Sequence, residues 1–128
     1  MKRLFVVGFA IWLVATIVLR FAGQWVLNPD RPVSIIVLLA ISGFLLFRLP
    51  AALFTRFVIP PEQCALGGIA LVAPGMFLDA FSAICFSSVF PNMRPEAAGL
   101  FGGWLLLCNA AALVSAALQS RAPTTGAA

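Results

Sequence analysis

The chain has 128 residues, 62% of them hydrophobic and 9% charged, with a mean hydropathy of +1.09; soluble domains run about 45–50% apolar and roughly 25% charged. A soluble globular fold is excluded, as are disorder, which needs low hydrophobicity and many charges, and a disulfide scaffold, for which three cysteines are too few. Eight Lys/Arg against four Asp/Glu give a net charge of +4, but they form no basic run able to track a phosphate backbone or clamp anionic lipid, so the expected partner is the bilayer and not nucleic acid.

A hydrocarbon core of about 30 Å needs roughly 20 apolar residues as helix, and the sequence offers four such runs. The first extends over residues 4–26 behind Lys2-Arg3 and closes at Asn28-Pro29-Asp30-Arg31-Pro32, a dense turn signal. It has no small-x-small cleavage site at its end, so it reads as a retained span and not a signal peptide. The second covers 33–57 as one helix kinked at Pro50, with Arg48 and Arg56 snorkelling to the interface; the alternative is a shorter span followed by an interfacial helix over 51–58.

The third span, 63–88, follows Pro60-Pro61-Glu62, and the fourth, 95–119, opens at Pro95-Glu96. Proline at a first helical position with a carboxylate in the first turn is a helix start. Leu66 and Gly68 repeat at the offsets of Leu100 and Gly102, which shared start chemistry explains as well as a duplication does. Residues 120–128, with Pro123 and Gly126, read as a mobile tail.

With the N-terminus inside, Lys2, Arg3, Arg48, Arg56 and Arg121 lie on the cytoplasmic side and Arg31 and Arg94 outside. That asymmetry places both termini in the cytoplasm. The expected fold is therefore an all-α, integral membrane bundle of four transmembrane helices.

Charges inside spans are the most informative residues, because each costs about 2.5–3.5 kcal/mol near a helix centre. Arg20 and Asp79 lie at matching distances from the starts of spans one and three, both about 22–24 Å from the inner boundary at 1.5 Å per residue. Both sit on stripes of small or polar residues, so an ion pair between the two spans is expected. The competing reading makes Asp79 a proton or cation site of a small transporter, with Thr16, Ser82 and Asn109 along a polar path. Pro74-Gly75, one turn before Asp79, kinks the helix or frees backbone carbonyls.

Gly75, Gly99 and Gly103 are candidate packing glycines, the latter two as a Gly-x-x-x-Gly motif. Cys64, Cys85 and Cys108 lack metal spacing and there is no histidine, so neither metal nor cofactor is expected. Trp25 suits an interfacial anchor, whereas Trp12 and Trp104 lie deeper. The sequence contains no paired carboxylates on one helix face, no phosphate loop, and no nucleophile with a recognisable base, so an enzyme is not expected.

Ile11-Trp12-Leu13-Val14-Ala15-Thr16 with Leu19-Arg20-Phe21, the segment Pro74-Gly75-Met76-Phe77-Leu78-Asp79, and Phe90-Pro91-Asn92 together resemble a domain-of-unknown-function family of short bacterial four-helix membrane proteins. The resemblance implies the length, the four spans and a multi-pass protein of the bacterial cytoplasmic (inner) membrane, and it implies no activity. Two functional classes follow from the residues: a structural or partner-binding membrane component that docks a second copy or another membrane protein, or an oligomeric transporter or channel subunit built around Asp79. A path lined by Thr16, Asp79, Ser82 and Asn109 favours the second, and a dry apolar interior favours the first.

Overall fold

A computed structural model describes residues 1–121. The described chain forms α1 (Lys2–Val26), α2 (Pro32–Arg56), α3 (Pro61–Ile84), the single turn α4 (Phe86–Val89) and α5 (Ala98–Ser120), with a 3₁₀ turn at Pro95–Ala97 leading into α5. No strand occurs among these residues, and the four long helices are each long and apolar enough to cross a membrane. The fold is an all-α bundle, as composition required. Of the expected tail, Ser120 closes α5 and residues 122–128 lie outside the described residues.

Proline supplies the helix starts, at Pro32, Pro61 and Pro95, where its missing N–H is one that the first turn would leave unbonded anyway. α2 continues as helix through Pro50 to Arg56, so the alternative of a short span with a separate interfacial helix does not hold. Its end has Schellman geometry: the Ile59 N–H donates to the Phe54 carbonyl and the Val58 N–H to that of Thr55. The residue placed in the left-handed region there, at φ 54°, is Val58 instead of the usual glycine.

The third span is shorter than expected. α3 stops at Ile84, the helix is interrupted at Cys85, and α4 makes a separate turn. The break carries Phe86 and Phe90 onto Phe101, with ring centroids 5.1–5.5 Å apart. Together with Leu19, Leu27, Met93 and Ala97 they form a buried cap at one end of the bundle. A second buried cluster, Leu4, Phe54, Cys64 and Ala116, closes the other end.

Between these clusters α3 packs against α1 and α5, and α5 packs against α2, whereas α1 and α2 scarcely touch. The glycines that permit close approach are Gly8, where an added Cβ would collide with the Leu71 carbonyl, and Gly68, where it would collide with Ala116 Cβ. Without side chains at these two positions, backbones meet at distances that a Cβ forbids. Gly75 lies in ordinary contact with Trp12, 3.6 Å from where its Cβ would be. Gly99 and Gly103 do not pack within the bundle, since added Cβ atoms there or at Gly102 would meet nothing within 4 Å among the described residues. The sequence left open whether these two glycines meet a helix of the same chain or of another copy; among the described residues they meet none of the same chain. α5 carries two small-residue faces, and Ala112 and Ala116, 0% and 1% exposed, occupy the one that packs.

Candidate functional site

The long helices border a cavity of about 110 Å³, open on one side, between the two buried clusters. α1 contributes Trp12 and Thr16, α3 contributes Asp79, and α5 contributes Trp104, Cys108 and Asn109, with aliphatic walls from all four helices. Asp79 is the one charged side chain among the residues lining it. Its Oδ1 accepts a hydrogen bond from Trp12 Nε1–H at 2.9 Å, and Asn109 stands beside the carboxylate. The second indole is less settled: Trp104 Nε1 is buried with no acceptor among the described residues.

The expected Arg20–Asp79 pair does not form. The Arg20 guanidinium donates to the Val89 carbonyl, at the C-terminal end of α4, while Trp12 takes the position beside Asp79. Helix register is the reason. Leu4 meets Gly67, Gly8 meets Leu71, and Trp12 meets Gly75, a constant offset of 63 residues between the parallel helices α1 and α3. Asp79 is therefore level with Thr16, and Arg20 stands one turn, about 6 Å, farther along. Equal distance from each helix start had implied an offset of 59, one turn short of the observed register. Arg20 instead satisfies a carbonyl left unbonded at a helix end.

Arg20 also belongs to a clamp that ties the connection before α5 onto α1. The Asn92 side-chain amide donates to the Leu19 carbonyl at 3.0 Å and to Gln24 Oε1. Met93 covers Gly23, where an added Cβ would meet its sulfur. Outside the cap, Arg94 pairs with Asp30 at 2.6 Å and with Glu96 at 3.5 Å, joining the two loops through exposed contacts. Arg20 thus bonds a backbone carbonyl and not the carboxylate that the sequence suggested.

Of the polar path read from the sequence, Thr16, Asp79 and Asn109 line the cavity. Ser82 does not; it is 5% exposed and buried outside the lining. The sequence reading missed the roles of the two deep tryptophans. The available signal was position: Trp12 and Trp104 fall inside apolar spans, where an indole N–H needs an acceptor that lipid does not supply.

The sequence profile of a family of unknown function, DUF5367, matches residues 26–122. The chain belongs to that family. The match takes in α2, α3, α4 and α5, and with them Asp79, Trp104 and Asn109; nearly all of α1, including Trp12 and Thr16, precedes it. Comparison with curated proteins and with solved structures gives no match. Family membership and the four apolar helices make this a membrane protein of a family of unknown function, with the Asp79 carboxylate lining its cavity.

Proposed function

We propose that this DUF5367 protein is a small oligomeric transporter or channel subunit that uses Asp79 as a proton or cation site. The observation carrying the reading is the placement of Asp79 in a cavity among all four long helices, with indole and amide partners and no basic side chain in the lining. A lone ionised carboxylate in low dielectric is costly unless a proton, a cation or hydrogen-bond donors offset its charge. Arg20, which the sequence had placed at the same depth, stands one turn farther along and is engaged elsewhere. Three polar side chains in an otherwise apolar wall support this reading beside the purely structural one.

In this reading the protein binds and moves a cation and performs no catalysis. The basic asymmetry supports an orientation with both termini on the cytoplasmic side, and the sequence resemblance supports a bacterial inner membrane as the setting. Wild-type protein in liposomes loaded with a pH-reporting dye should exchange protons for an imposed gradient of sodium, potassium or tetramethylammonium, tried singly. Asp79→Asn should fold and lose the exchange. Retained exchange in Asp79→Asn, or none by wild type with any of the three cations, would overturn the reading.

The partner-binding role has a separate support, the open face of α5 at Gly99 and Gly103. A helix from a second copy or another membrane protein can approach closely there. The two readings are compatible, because a bundle of four helices must associate to enclose a full pathway.

A further inference from the structure

We infer that the occupant of this cavity is a small organic ammonium ion bearing a hydroxyl or ether oxygen, admitted from the lipid between α1 and α2. The inference rests on the reading of Asp79 as a cation site and names the kind of cation.

The donor set argues against a hydrated or metal cation. Hard cations take about six or more oxygen ligands in a polar shell, whereas the cavity supplies side-chain oxygens from Asp79, Asn109 and Thr16 only. Beside them stand the two indoles of Trp12 and Trp104 and the ring of Phe101. Indole N–H groups repel a bare metal ion, but aromatic faces attract the diffuse charge of an alkylammonium, which sheds water easily. A carboxylate with aromatic and aliphatic walls is therefore matched to an ion that is charged at its centre and apolar at its rim.

Trp104 adds a second requirement. Its Nε1–H is buried with no acceptor among the described residues, and a buried donor without a partner is unfavourable. An oxygen carried by the occupant would satisfy it, while Trp12 remains committed to Asp79. Size sets the scale. A cavity of about 110 Å³ is somewhat smaller than the roughly 150 Å³ that accommodates benzene, so the occupant has a handful of heavy atoms.

The route follows from the packing. α1 and α2 scarcely touch, and Ile11 and Ala15 on one side and Leu46 and Leu49 on the other border the cavity between them. The buried clusters close both ends of the bundle, so the side facing lipid is the open one. An amine that partitions into the bilayer reaches Asp79 along an apolar path.

The test uses the full chain in detergent, with binding followed by thermal stability and by tryptophan fluorescence, since Trp12 and Trp104 line the site. The probes are 2-(dimethylamino)ethanol, N,N-dimethylethylamine, which lacks the hydroxyl, the neutral isostere 3-methylbutan-1-ol, and sodium and potassium chloride. The amino alcohol should bind at least about tenfold more tightly than its neutral isostere. It should also bind more tightly than N,N-dimethylethylamine, and Trp104→Phe should erase that second difference alone. Stabilisation by sodium or potassium equal to that by the amino alcohol would overturn the inference and leave Asp79 as an inorganic-cation site. Equal binding of the amino alcohol and its isostere would overturn the inference and remove the organic-cation reading of Asp79 as well. These comparisons are made on wild type, so they decide even if Asp79→Asn does not fold.

Discussion

Trp12 and Asp79, 67 residues apart in sequence, are joined across the α1–α3 interface by an indole-to-carboxylate hydrogen bond of 2.9 Å. The contact places a neutral donor where the sequence had led to an arginine. Hydrogen bonds to charged groups contribute about 1.5–3 kcal/mol, so Trp12→Phe, which keeps the ring and deletes the N–H, should lower thermal stability in detergent. In an Asp79→Asn background the same change should cost about 1 kcal/mol less. Equal costs in the two backgrounds would mean that the charge of the carboxylate adds nothing to the bond.

Arg20 and Asp79 should behave as independent residues. Arg20→Leu removes the contact with the Val89 carbonyl, and Asp79→Leu removes the cavity carboxylate; the two share no partner. Their effects on unfolding should add within about 0.5 kcal/mol. Recovery of stability in the double variant would restore the ion pair and refute the register described above.

The glycines divide into two groups that mutagenesis can separate. Gly8→Ala drives a Cβ into the Leu71 carbonyl, and overpacking of this kind costs about 1–3 kcal/mol. Gly99→Leu and Gly103→Leu meet open space in the single chain and should leave its fold intact. If the α5 face docks a second copy, these two variants will weaken chemical cross-linking between copies. Unfolding by Gly103→Leu at high dilution would show that this face packs within the chain after all.

Val58 offers a stabilising change. It occupies φ 54° at the close of α2 and is exposed, so little packing is lost on its removal. A left-handed residue with a Cβ costs about 1–2 kcal/mol. Val58→Gly should raise the melting temperature, offset in part by the greater freedom of glycine in the unfolded chain. A lower melting temperature would show that Val58 makes a contact outweighing that strain.

Sequence by itself determined the four helices, their proline starts and the short set of polar side chains that any interior must accommodate. Each of these is a property of one segment against lipid: a run of about 20 apolar residues, a missing N–H, a charge that costs free energy wherever it lies in the span. Thr16, Asp79 and Asn109, which line the cavity, were legible as candidates on that ground. Only the tertiary structure decided which partner Asp79 has, which glycines pack and where the cavity lies. Inside a bilayer both faces of a helix are apolar, as Phe21 at 73% exposure and Phe90 at 0% illustrate, so hydrophobic periodicity does not separate core from lipid. Partnership then depends on relative register, which the contacts at Gly8 and Gly67 set between α1 and α3. A slip of one turn moves a side chain by about 6 Å, enough to replace Arg20 with Thr16 at the level of Asp79 and to bring Trp12 within reach of the carboxylate.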